Sequence, residues 1–217
     1  MTIVACGGQT RSLVGWLLGL TGKDDPRVCI LGTATGDASI PGYYETFNAD
    51  RCRPSHLPLF GIPRPDWREH LLSRDLIVVG GGNTASMLAV WRAHGVDAVL
   101  REAWERGILL AGGSAGAICW FGAGVTDSFR AELDGLECLG WLPGSCCPHY
   151  DGEEQRRPAY RRLLAEGFPP GIAIDDHAAV RFEGTELAEV VTAVKGAGAY
   201  RVDASGETPL TAHLLGV

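Results

Sequence analysis

Residues 108–110, Ile-Leu-Leu, run into AGGSAGAICWF (residues 111–121), which sets one serine, Ser114, among glycines where an apolar run ends and a helical pattern begins. A short, branched-rich run ending in Gly112-Gly113 has the character of a buried parallel strand entering a loop. Gly112-Gly113-Ser114-Ala115-Gly116 fits G-x-S-x-G in a strand–turn–helix context, where a sharp turn lifts the hydroxyl above the sheet. Small neighbours let backbone and substrate approach that hydroxyl, and the Ala115 N–H at the helix start can face a developing oxyanion. The plainer reading is a glycine-rich βα turn with Ser114 as an N-cap.

The same pattern recurs along the chain. Thr2-Ile3-Val4-Ala5 precedes Gly7-Gly8, Val28-Cys29-Ile30-Leu31 precedes Gly32, and Leu76-Ile77-Val78-Val79 precedes Gly80-Gly81-Gly82. Between these runs, 84–94 carries Met87, Val90, Trp91 and His94 at helical spacing behind a Thr84 N-cap. Residues 96–106 place Val96, Val99, Leu100 and Ala103 on one face, with Gly107 as a stop. Strands alternating with helices predict an α/β fold around a doubly wound, mostly parallel sheet. The last third departs from this: a charged helix over 154–166 is followed by alternating segments joined at Glu183-Gly184 and Ser205-Gly206, a small antiparallel region. With no linker, repeat or low-complexity tract, residues 1–217 read as one domain.

Composition narrows the function classes. The chain of 217 residues is 46% hydrophobic and 21% charged, enough for one sizeable core. A net charge of −7 with no basic cluster argues against a nucleic-acid partner. No stretch approaches ~18 uninterrupted apolar residues, and the opening MTIVACGGQT lacks a signal-peptide pattern, so the expectation is a cytoplasmic protein with no membrane partner. Seven cysteines without a C-x-x-C pair read as reduced core thiols, Cys146-Cys147 included. No motif implies a metal or a cofactor, and the oligomeric state, a homo-oligomer included, is left open. Of Tyr43, Tyr44, Phe47 and Phe60, core packing is the expected role for most.

A serine nucleophile needs a base. Of six histidines, His56, His70, His94 and His213 lie in surface-like or helical contexts. His149, in Cys146-Cys147-Pro148-His149-Tyr150, follows a short strand pattern that could hold its ring near the sheet's carboxyl end; His177 adjoins Asp175-Asp176. A carboxylate must accept the other imidazole N–H and hold its tautomer. Asp176 is the first candidate and Asp127, in Val125-Thr126-Asp127-Ser128, its rival. The turn Gly80-Gly81-Gly82-Asn83-Thr84 has the amides of an anion site but neither the P-loop Lys-Ser/Thr nor the G-x-G-x-x-G register. Its loop is better suited to a second oxyanion N–H.

Taken together, GGGNT (80–84), the serine turn, PHY (148–150) and the I-A-I-D-D segment resemble the peptidase E family, the S51 serine peptidases, in an order that spans nearly the whole chain. The resemblance implies a fold like that of class I glutamine amidotransferases, with Ser114 as nucleophile, His149 as general base, and Gly82 and Ala115 as oxyanion donors. Dipeptidase members carry glutamate at the third position; the matching residue here is Asp176, one methylene shorter. Arg156 matches the arginine that reads aspartate in those relatives, and Asn83 joins it as a candidate substrate-binding residue. A salt-bridged helix face is the competing reading for Arg156, given Glu153, Glu154, Arg157, Arg161 and Arg162 around it. The resemblance implies a small-peptide substrate, a dipeptidase acting on Asp-Xaa or a carboxypeptidase. A cyanophycinase-like hydrolase and a non-catalytic scaffold or sensor stand as the alternatives.

Overall fold

The computed structural model describes residues 1–216. In chain order its first half contains β1 (Thr2–Cys6), α1 (Val14–Gly19), β2 (Arg27–Leu31), α2 (Ile40–Thr46), β3 (Arg53–His56), α3 (Trp67–Leu72), β4 (Leu76–Val79), α4 (Thr84–His94) and α5 (Val96–Glu105). The second half contains β5 (Leu109–Gly113), α6 (Ala115–Ile118), β6 (Phe121–Thr126), β7 (Asp134–Glu137), β8 (Leu142–Cys147), α7 (Arg156–Ala165), β9 (Gly171–Ile174), β10 (Ala178–Glu183), β11 (Glu186–Thr192), β12 (Ala199–Asp203), β13 (Gly206–Pro209) and β14 (Ala212–Leu214).

The four apolar runs form the parallel heart of an eight-stranded sheet of order β14-β11-β10-β1-β5-β4-β2-β3. Their side chains divide by strand alternation. Ile3, Ala5, Cys29, Leu31, Ile77, Val79 and Leu110 face one cluster, completed by Met87, Leu88 and Trp91 of α4 and Val99, Leu100 and Trp104 of α5. Val4, Cys6, Val28, Ile30, Leu76, Val78 and Leu109 face the other, closed by Leu13, Val14 and Leu17 and by Phe47. Burial on both faces is why these strands read as continuous apolar runs. Burying a Val, Leu or Ile side chain contributes about 1.5–3 kcal/mol, so these layers are the main support of the carboxyl-end loops that they present.

Several local expectations shift by small amounts. The N-cap of α4 is Asn83, not Thr84: the Asn83 Oδ1 accepts from the Ser86 N–H at 2.8 Å. Leu88 takes the buried place expected of His94, which is exposed. Phe47 is buried, whereas Phe60 is 57% exposed. The larger difference lies in the last third and in the segment before it. Beyond the β10–β11 hairpin, which extends the main sheet, a second six-stranded sheet forms in the order β13-β12-β9-β8-β6-β7, with β6–β8 and β8–β9 parallel. Helix α7 covers it through Tyr160, Leu163 and Leu164, packed against Val125, Cys147 and Ala173. Among the described residues no helix is long and apolar enough to cross a membrane.

Candidate active site

Ser114 stands between β5 and α6 at φ 55°, ψ −116°, a conformation that costs a non-glycine residue on the order of 1–3 kcal/mol. Its neighbours hold it there. The Ser114 N–H donates to the Cys6 carbonyl at 3.2 Å, and its own carbonyl accepts from the Ala117 and Ile118 N–H groups at 2.8 and 3.1 Å. Helix α6 can lie this close to the sheet because residue 116 is glycine: a Cβ there would stand 2.2 Å from the Val79 carbonyl oxygen. The Ser114 hydroxyl hydrogen-bonds to no protein group among the described residues, and neither do the N–H groups of Ala115 and Gly82.

The loop after β4 runs beside this elbow. A Cβ on Gly81 would be 3.0 Å from the Ser114 Cβ, and Gly82, at φ 134°, follows directly. Asn83 is used up by structure. Besides the cap, its backbone N–H donates to Ala34 at 2.8 Å and its Nδ2 donates to the Ser128 carbonyl at 2.8 Å. Both ends of its side chain thus hold the loop in place.

His149 follows β8 after Pro148 and takes φ 53°. Its Nδ1 lies 2.7 Å from the Asp176 Oδ1, with the two side chains 20% and 19% exposed. Asp176 sits in the bend between β9 and β10, where its N–H donates to the Asp151 Oδ1 at 2.7 Å and its backbone bridges Gly8. That bridge ties the pair to the support of Ser114, since Gly8 lies two residues beyond Cys6, whose carbonyl accepts from the Ser114 N–H. Asp127, the rival carboxylate, is exposed and hydrogen-bonds to nothing in the described chain, so only Asp176 is joined to His149.

Three of the five remaining histidines have other partners. His70 is buried beside Arg64, and burial, reinforced by Arg74 and Arg64, depresses its pKa to about 4. His56 pairs with the Tyr44 hydroxyl at 2.7 Å, and His177 with the Ser12 hydroxyl at 3.2 Å. Arg156 opens α7. It is 4% exposed, with Nε donating to Glu153 at 2.6 Å and Nη1 to the Val125 carbonyl at 2.8 Å, so its fork braces α7 against β6. A solvated helix face does not describe it.

Three contributors escape a reading by residue type: Gly8 between the pair and β1, Asp151 behind Asp176, and Asp175, 1% exposed with its Oδ1 unpartnered. The Gly-Gly after β1, matching the glycines after β4 and at the end of β5, is the one signal that pointed there. Cys146 and Cys147 are buried free thiols, and burial pushes Cys147 up to about 12, well away from a reactive thiolate. Among the described residues no group of three or more potential metal ligands occurs.

A strained serine at a strand–helix elbow, with a histidine–carboxylate pair on adjoining loops of a parallel sheet, defines the class of serine hydrolases that use a nucleophile elbow. The comparisons with known proteins go one step further: the model of peptidase family S51 matches residues 3–190, and the chain belongs to that family of serine peptidases. A Bacillus subtilis (strain 168) protein described as the uncharacterized peptidase YgaJ is 44% identical over 99% of both chains. Peptidase E of Salmonella arizonae (strain RSK2980) is 33% identical over 105 residues, covering 44% of this chain and 46% of that one. The crystal structure of a peptidase from an acI-B1 Actinobacterium superposes with a TM-score of 0.74, covering 97% of this chain and 94% of that one, at 21% identity; it shares the fold.

Proposed function

We propose that this peptidase cleaves short peptides, as a dipeptidase or a small-peptide carboxypeptidase, using Ser114 as nucleophile, His149 as general base and Asp176 to orient the imidazole. The observation that carries this reading is the 2.7 Å contact between His149 Nδ1 and Asp176 Oδ1. With the proton on Nδ1 donated to the carboxylate, the lone pair stands on Nε2, where a base must have it. The unpaired Ser114 hydroxyl turns to Nε2 when substrate arrives, since catalytic hydrogen bonds often tighten only in the complex.

The Ser114 Oγ attacks the peptide carbonyl carbon while His149 takes its proton, and Asp176 stabilises the imidazolium that forms. The carbonyl oxygen becomes an oxyanion held by the unpaired N–H groups of Gly82 and Ala115. His149 returns the proton to the leaving amine, and water, deprotonated by the same ring, hydrolyses the acyl-enzyme. Removal of Ser114 or His149 lowers kcat by roughly 10⁴- to 10⁶-fold on this scheme.

The test is a panel of di- and tripeptides with wild type and Ser114→Ala, together with labelling by a serine-directed fluorophosphonate. The expected result is turnover and Ser114 labelling in wild type and neither in the variant. Undiminished turnover in Ser114→Ala rejects the scheme.

A further inference from the structure

The turn between β8 and α7 carries His149, and it is tied to the bend carrying Asp176 by more than the contact of those two side chains. The Tyr150 N–H donates to the Ile174 carbonyl at 3.1 Å, and the Asp176 N–H donates to the Asp151 Oδ1 at 2.7 Å. The turn also closes on itself, the Glu153 N–H donating to the His149 carbonyl at 3.1 Å. Next to Asp151 the chain comes close to the Asp176 carboxylate. A Cβ on Gly152 would stand 2.4 Å from the Asp176 Oδ2, as one on Gly8 would stand 2.1 Å from Oδ1. The carboxylate therefore lies between two glycine backbones, and Asp151 is the side chain that draws the second of them onto it.

Packing does not account for Asp151. The residue is exposed, and it pairs with no lysine or arginine among the described residues. It also stands beside two further carboxylates, Asp175 and Asp176, which oppose its charge. The bond to the Asp176 N–H is what offsets that repulsion, and a charged acceptor makes such a bond roughly twice as strong as a neutral one. His149 needs a firm turn. At φ 53° it holds a left-handed conformation that persists in a non-glycine residue only while its surroundings fix it. A turn released from Asp176 would relax, and the imidazole would move with it.

We propose that Asp151 is a positioning residue for the reaction: through the Asp176 N–H it fixes how the Asp176 carboxylate meets the His149 Nδ1. The inference rests on the serine peptidase reading above and adds a residue that touches no reacting atom. What Asp151 supplies is an acceptor at a given reach. A side chain with an oxygen in the same place can replace it, and one without cannot.

Asp151→Asn keeps that oxygen and Asp151→Ala removes it. On a cleaved dipeptide, Asp151→Ala is expected to lower kcat on the order of 10- to 100-fold with KM within about a factor of two, and Asp151→Asn to stay within about threefold of wild type. Both are expected to melt close to wild type, since the position is exposed. A residue serving only the fold lowers stability, and one that binds substrate raises KM instead. The tautomer of His149 is read without turnover, from the imidazole nitrogen shifts of protein carrying labelled histidine, at a pH where the ring is neutral and with His149→Gln for assignment. Wild type and Asp151→Asn are expected to hold the proton on Nδ1, and Asp151→Ala to mix the two tautomers. Wild-type kcat in Asp151→Ala, an equal loss in Asp151→Asn, or a tautomer unchanged in Asp151→Ala overturns the positioning role alone. A wild-type ring protonated on Nε2 overturns the triad reading and this inference with it.

Discussion

The His149 ring and the Asp176 carboxylate meet at 2.7 Å although 27 residues separate them, and the meeting is made by two neighbouring parallel strands. β8 delivers His149 and β9 delivers Asp176, in register through Cys147 and Ala173. The second sheet thus carries His149 and Asp176, and the first sheet carries Ser114. Gly8 joins them, bridging Asp176 two residues beyond the Cys6 carbonyl that holds the Ser114 N–H. The site is set by rigid strand ends, the placement that preorganised chemistry needs.

Asp176→Asn keeps the shape of this pair but lets the imidazole settle in the wrong tautomer. Turnover of a cleaved dipeptide is expected to fall by about 10⁴ in kcat with little change in thermal stability. Asp127→Asn, at an exposed position without a partner, is expected to stay within about a factor of two of wild type. Steady-state kinetics of the two variants side by side checks this, and equal losses would falsify the choice of Asp176.

Gly8 is constrained by the pair itself. A Cβ at this position would stand 2.1 Å from the Asp176 Oδ1 and 2.4 Å from the His149 Cε1, so Gly8→Ala must push the ring and the carboxylate out of line. Misplacement of a catalytic group by about 1 Å costs on the order of 10²-fold. The expected result is a loss of that size in kcat/KM in a protein that still melts cooperatively. Wild-type turnover in Gly8→Ala counts against the role given to the pair.

The parts of this arrangement that depend on near neighbours in the chain were legible in the sequence. Four buried strands announced themselves because both faces are covered, and the serine elbow because its glycines are needed within five residues of each other. The partners of long polar side chains were not legible. Arg156 finds the Val125 carbonyl 31 residues away, and Asn83 the Ser128 carbonyl 45 away, across strands whose own pattern is weak. β6 (FGAGVT) and β7 (DGLE) carry glycines and acids instead of an alternating apolar pattern, so the second sheet was visible only at its β8, β9, β12 and β13 segments. Gly8 escaped for the same reason, since what forbids a side chain there comes from residues 149 and 176.

Asp175 gives the fold a pH dependence of defined sign. Burial pushes its carboxyl up to about 6; the nearby Asp151 adds to this, while the Gly198 N–H at 2.9 Å and the Tyr200 hydroxyl at 3.1 Å pull the other way. The folded chain therefore binds this proton more tightly than the unfolded chain, whose carboxyl titrates near 3.9. The associated stability is present in full below about pH 4 and is lost as pH rises through about 6. Asp175→Asn removes the titration. Denaturant unfolding from pH 4.5 to 7.5 is expected to show the variant gaining on wild type as pH rises, by on the order of 2 kcal/mol. Parallel pH profiles would show that the buried carboxyl does not titrate in this range.

Arg156 braces α7 against β6, and Arg156→Met tests whether that is its whole role. Methionine fills much of the same space but leaves the Val125 carbonyl without its donor and Glu153 without its cation, in a place where the arginine side chain is 5% exposed. Stripping one partner from such a cluster costs about 2–4 kcal/mol, and it loosens the start of α7, seven residues after His149. Thermal stability and kcat are expected to fall together. Any preference between acid and amide peptides is expected to persist, because Nε and Nη1 of the guanidinium are both held by the fold. A variant that keeps its stability and kcat but changes that preference would give Arg156 a carboxylate-reading role.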